Sequence, residues 1–215
     1  APLLIRKIIH SNAWFLTLWV FWLGVGSILL ALYGDEKLFF SINQVHHPFF
    51  DRLMTVLSAF GRGDTITLIF VMLLIAPYFR TKAYLLSTLL FGLLTPLINH
   101  FSKMFFEEVR PLGIYGIERV HTVPWLENLF NNSFPSGHTM GAFGFCLLIH
   151  HLIPQKQWYV SIALFLLAIG CGYSRMYLGQ HFFSDVLAGS LIGVLISCLI
   201  ISTTQIILKN NTTNA

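Results

Sequence analysis

Ser174-Arg175-Met176-Tyr177-Leu178-Gly179-Gln180-His181-Phe182-Phe183-Ser184-Asp185 sets an arginine, a glycine, a histidine and an aspartate between two long apolar runs. Ionisable groups at the edge of a bilayer are costly to keep there and often mark a site. His181 and Asp185 stand at i,i+4, so a helix starting here would put both side chains on one face. A carboxylate beside an imidazole fixes its tautomer and raises its basicity, as a histidine nucleophile or base requires. The plain structural alternative is a helix start at the membrane edge, with Asp185 favoured there by the helix dipole.

The flanking runs identify the solvent. Of 215 residues, 55% are hydrophobic and 10% charged, with mean hydropathy +0.71, whereas soluble domains carry about 25% charged residues. Residues 1–215 therefore read as one integral membrane domain, with the bilayer as its partner and no nucleic-acid partner expected. Cys146, Cys171 and Cys198 all fall inside apolar runs, which speaks against a disulfide framework. The first apolar run is long enough to span and lacks a small-residue cleavage site, so no cleavable signal peptide is expected.

Six spans are expected, an all-α bundle: 13–33, 65–79, 83–102, 135–153, 158–173 and 186–208. Leu38 to Gly63 is mixed and reads as an interfacial amphipathic helix or the slanted entry to the second span. Pro96 is expected to kink the third. Lys103 to Ser133 is a long polar connection, and the tail from Lys209 is expected to be loose. On this layout one side holds Arg6, Lys7, Arg80, Lys82, Lys156 and Lys209 and no acid, while all nine acids lie on the other. The positive-inside rule then puts both termini in the cytoplasm of a multi-pass cytoplasmic-membrane protein. Lys103, the long loop and the Ser174–Asp185 stretch share the outer face.

Two further stretches lie on that face. Lys103 and Arg110-Pro111 are seven residues apart, about two helical turns, and could clamp one phosphate with a point charge and a bidentate fork. Snorkelling basic residues, with Lys103 paired to Glu107, are the alternative. In Asn132-Ser133-Phe134-Pro135-Ser136-Gly137-His138-Thr139 the proline suits a first helical turn, whose open N–H groups form a ready anion site. His138 there can exchange a proton near neutral pH. Ser133 or Ser136 could equally serve only as a helix cap.

In order, Lys-x6-Arg-Pro, Pro-Ser-Gly-His and Ser-Arg-x3-Gly-x-His-x3-Asp resemble the signature of the type 2 phosphatidic acid phosphatase family of membrane lipid phosphatases. Lys103, Arg110, Pro111, Pro135, Ser136, Gly137, His138, Ser174, Arg175, Gly179, His181 and Asp185 fill every defining position. The resemblance implies a metal-independent enzyme working through a phosphohistidine, with no cofactor. In it His181 is the nucleophile, Asp185 orients it, and His138 is acid and then base. Lys103, Arg110, Arg175 and the N–H groups of Ser136, Gly137 and His138 hold the phosphate, and Gly179 lets the backbone pass close to the bound group.

Undecaprenyl pyrophosphate, phosphatidylglycerol phosphate, phosphatidic acid and lipid A are all substrates of the family, and its motifs do not separate them. A lipid phosphotransferase on the same framework and a non-catalytic lipid-binding membrane protein are the alternatives. The pairs His46-His47 and His150-His151 have poor spacing for metal ligands on a helix. His100 reads as an interior histidine or a lining residue of the site, and His121 and Trp125 as possible headgroup contacts. Asn131-Asn132-Ser133 matches a glycosylation sequon, but a glycan there would obstruct His138.

Overall fold

The computed structural model describes residues 2–153 and 157–213. Among the described residues nine α-helices run in the order α1 (Pro2–Ser11), α2 (Ala13–Asn43), α3 (Pro48–Phe60), α4 (Gly63–Leu73), α5 (Lys82–Phe106), α6 (Pro111–Tyr115), α7 (Gly137–Leu152), α8 (Trp158–Tyr177) and α9 (Phe183–Thr213). A single 3-10 turn, Pro77–Phe79, precedes α5. Among the described residues there is no strand.

Among the described residues four stretches are long and apolar enough to cross a membrane: Ala13–Asn43, Lys82–Tyr115, Trp158–Tyr177 and Phe183–Lys209. The pair α3 and α4, bent by 65° at Gly61–Arg62, is a fifth if it forms one broken span. The 16 residues of α7 fall below that length, yet α7 is the buried centre, with every residue from Thr139 to His150 inside the protein. It packs chiefly on α9 and α8, while α5 closes on α9, and α2 and α3 close on α8.

Lipid tails are as apolar as leucine, so helices in a bilayer associate through close packing and interhelical hydrogen bonds. Both occur. A Cβ on Gly193 of α9 would collide with the Met140 carbonyl of α7, and one on Gly144 would stand 2.8 Å from the Gly193 carbonyl oxygen. Ser197 Oγ donates to the Gly144 carbonyl at 2.7 Å, Trp22 Nε1 to Ser190 Oγ at 3.0 Å and Tyr84 Oη to the Phe70 carbonyl at 2.6 Å. At the opposite end from the motifs, buried His150 bridges Asn12 Oδ1 (2.9 Å) and Ser161 Oγ (2.7 Å). That is a packing role on α7, not half of a metal pair.

Several boundaries differ from the sequence reading. Gly34 interrupts α2 with φ 71°, ψ 165°, but helix resumes through Asn43 on the aromatic packing of Phe39 and Phe40. The mixed stretch before the second span resolves into α3, with His47 as its N-cap and Pro48 in its first turn. The second apolar run is helical only to Leu73. Helix α5 runs on through Pro96 without a break. The tail expected to be loose continues α9 to Thr213. Lys156, counted in the charge balance, lies outside the described residues.

Candidate active site

Three elements converge on one end of α7. The loop after α8 carries Gly179, Gln180 and His181 into the start of α9, where Asp185 occupies the first turn. Gly179 adopts φ +72°, which an L side chain resists, and a Cβ there would stand 2.7 Å from the His121 carbonyl oxygen. The close approach seen at Gly179 is to the loop between α6 and α7.

His181 and Asp185 are both buried and meet, with Nδ1 3.2 Å from Asp185 Oδ2, but His181 lies in the loop ahead of α9 and not on a helical face shared with Asp185. The same carboxylate oxygen accepts from the Phe182 N–H at 2.9 Å and from Ser133 Oγ. The Phe182 N–H and the Ser133 hydroxyl, two donors on one oxygen, favour the ionised carboxylate. An ionised Asp185 in turn assigns the His181 proton to Nδ1 and leaves the lone pair on Nε2. Arg110 Nη1 stands 3.2 Å from that Nε2 and also donates to the Gln180 carbonyl at 2.8 Å. Burial, then the charges of Arg110, Arg175 and Lys103, hold the His181 imidazole well below the ordinary histidine range.

The cations are fixed by carbonyls and polar side chains, not by acids. Arg110 Nε donates to the Asn131 carbonyl at 2.8 Å and Nη2 to that of Asn132 at 3.2 Å, where Lys103 Nζ also donates. Lys103 therefore points at the site, not at Glu107. Buried Arg175 donates through Nη1 to Ser58 Oγ and through Nη2 to Gln180 Oε1 at 3.4 Å. Its Nε has no hydrogen-bond partner among the described residues.

Ser136 is the N-cap of α7: its Oγ accepts from the Thr139 N–H at 3.4 Å, and its own N–H donates to the Asp185 carbonyl at 3.1 Å. This occupied amide points away from phosphate holding and toward joining α7 to α9. Gly137 and His138 begin the helix and line a cavity of about 1070 Å³. Lys103, Arg110, Arg175 and His181 line its polar end; Phe70, Val71 and Leu74 of the α4 side and Leu89 and Leu93 of α5 line its apolar wall. One compartment thus joins a cationic end to a greasy one, as a lipid carrying a phosphate requires.

Of the sequence-predicted residues, Lys103, Arg110, Gly137, His138, Arg175 and His181 share this cavity, with Asp185 and Ser136 behind it. His100 is exposed instead of lining it. His121 Nε2 pairs with Asp51 Oδ1 at 2.9 Å and its ring stacks on His46 at 3.9 Å, while Trp125 Nε1 donates to Thr55 Oγ1 at 3.0 Å. These contacts tie the loop between α6 and α7 to the N-terminal part of α3. Ser133, Gln180 and Ser58 are the polar residues that the motif reading did not single out as partners of the site. Only Ser133 had a signal, being two residues before Pro135.

Residues 80–208 match the model of the PAP2 superfamily. Phosphatidylglycerophosphatase B of Bacillus subtilis is 31% identical over 178 residues, covering 78% of this chain and 81% of that protein. An undecaprenyl-diphosphatase of Sulfolobus acidocaldarius is 28% identical, covering 80% and 83%. The crystal structure of Aquifex aeolicus LpxE superposes with a TM-score of 0.65 at 30% identity, covering 78% of this chain and 94% of that one.

Proposed function

The chain belongs to the PAP2 superfamily of membrane lipid phosphatases, and from that premise we propose that it removes the terminal phosphate of a membrane lipid through a phosphohistidine on His181. The observation that carries this reading is the two-sided setting of one ring. Nδ1 faces Asp185, and Nε2 faces Arg110 at the cationic end of the cavity.

Nε2 attacks phosphorus, and the Nδ1–H bond to Asp185 stabilises the imidazolium that forms. Lys103, Arg110 and Arg175, with the open N–H groups of the first turn of α7, hold the equatorial oxygens as charge develops. His138 protonates the departing oxygen, then takes a proton from the water that cleaves the N–P bond. Charge neutralisation is assigned to these cations, so the reaction is read as metal-independent.

The bent pair α3–α4 and the short α7 are taken as the second and fourth of six spans. Both termini are assigned to the cytoplasm and the site to the outer face of the cytoplasmic membrane. Among the substrates named for the relatives, undecaprenyl pyrophosphate and phosphatidylglycerol phosphate both fit an apolar cavity with a cationic end, as does phosphatidic acid.

The test is phosphate release from a panel of these lipids, in detergent with EDTA, by wild type and His181→Ala. Release that persists in EDTA and vanishes in the variant supports the reading. Release that needs metal, or survives His181→Ala, overturns it, and phosphate moved to a second lipid instead of water makes the enzyme a phosphotransferase.

A further inference from the structure

The mechanism leaves one cation of the cavity unused. Arg62 sits in the 65° bend between α3 and α4. It follows Gly61, whose lack of a side chain lets the bend lie against the His138 carbonyl. Its side chain is 56% exposed and forks onto Asp64, with Nε 3.1 Å from Oδ1 and Nη2 on Oδ2. Both residues line the same cavity as His138 and His181. An exposed pair between near neighbours contributes little, and a guanidinium fork fits phosphate oxygens as well as a carboxylate.

A second residue faces the same turn of α7 from the other side. Asn99 lies one helical turn before Lys103 on α5 and lines the cavity. Its Oδ1 is buried with no hydrogen-bond partner among the described residues. A Cβ on Gly137 would stand 2.9 Å from that oxygen, so the glycine makes room for the amide. Buried polar atoms without a partner are rare in folded proteins and call for an explanation.

We propose that Arg62 and Asn99 form a second anion subsite, beside His138 on the leaving-group side, that receives the inner phosphate of a lipid diphosphate. The inference rests on the phosphatase reading above. In the reaction, the His181 Nε2–P bond forms as the bridging P–O bond to the inner phosphate breaks. The departing lipid monophosphate takes the His138 proton; the Arg62 fork holds its charge, and the P–OH so formed donates to the open Asn99 Oδ1. Water then splits the N–P bond and releases inorganic phosphate, returning the proton to His138. A monoester substrate, whose leaving group is an alcohol, gains nothing from the subsite. Arg62 therefore sets a preference between substrates.

The experiment compares kcat/KM for undecaprenyl pyrophosphate and phosphatidic acid, in detergent with EDTA, in wild type, Arg62→Gln, Asn99→Leu and Asp64→Asn. Arg62→Gln should lower the diphosphate value at least tenfold more than the monoester value. Asn99→Leu should move the ratio the same way by a smaller factor. Asp64→Asn, which releases the fork, should move it in the opposite direction. Each ratio is taken within one preparation, so a partly misfolded variant does not distort it. A ratio unmoved in Arg62→Gln or Asn99→Leu overturns the subsite, as does a wild type that hydrolyses phosphatidic acid but not the diphosphate. No release from either lipid by wild type, or release surviving His181→Ala, sinks the phosphatase reading itself.

Discussion

Arg110 Nη1 lies 3.2 Å from His181 Nε2, across 71 residues of sequence. The atom proposed to attack phosphorus and a cation proposed to hold it are therefore already side by side. The arginine is held there by the carbonyls of Gln180, Asn131 and Asn132, none of which competes as a charge.

That arrangement makes Asp185→Asn informative. An amide can present N–H to Nδ1 and so move the imidazole proton to Nε2, which removes the lone pair needed for attack. We expect kcat to fall on the order of 10³-fold with KM little changed. Acid-quenched enzyme should no longer trap phosphohistidine, and undiminished trapping would count against the assigned tautomer.

Ser133 holds the same carboxylate oxygen that receives His181 Nδ1. Removing one hydrogen bond to a buried charge costs about 1.5–3 kcal/mol, so Ser133→Ala should lower kcat by roughly ten- to a hundredfold. Steady-state phosphate release checks this; a change confined to KM would place Ser133 outside the network.

Arg175 uses two separate nitrogens, one on Ser58 and one on Gln180. A lysine offers one compact ammonium and cannot reproduce that fork. Arg175→Lys should therefore lose on the order of tenfold or more in kcat/KM although charge is kept. Full activity would reduce Arg175 to a simple positive charge.

Burial and neighbouring cations keep folded His181 neutral to a lower pH than in the unfolded chain, where it protonates near about 6.5. Below that value the unfolded state binds the extra proton, so this contribution to stability is present above about 6.5 and is lost as pH falls. The thermal midpoint in detergent should drop between about pH 7.5 and about pH 5.5, and His181→Gln should flatten that drop. Parallel curves for the two proteins would contradict the assignment.

The α7–α9 crossing can be tested through Gly193. Any side chain there meets the Met140 carbonyl, a backbone group that cannot turn aside. Gly193→Val should destabilise by about 1–3 kcal/mol, read as a lower thermal midpoint with loss of activity only on heating.

The sequence alone determined the membrane class, from hydropathy and sparse charge, and picked out the polar residues that line the cavity. Motif residues carry their chemistry in their identity and local spacing, so the meeting of His181 and Asp185 was legible, although it runs from the loop ahead of α9 to its first turn and not along one helical face. The extent of α7, α8 and α9 could be read to within a few residues because continuous apolar runs leave few alternatives. Local pattern could not say which carbonyls and hydroxyls surround those residues. Arg110 meets His181, Ser133 meets Asp185 and Ser58 meets Arg175 only because glycines let α7 approach α9 and the α3–α4 bend closely. Those contacts join positions 52 to 117 residues apart, and no sequence periodicity encodes such a pairing. Nor could spacing separate Asn99, which lines the cavity, from its neighbour His100, which is exposed. One position along a helix turns a side chain by about 100°, and only the packed bundle decides which of the two faces the site.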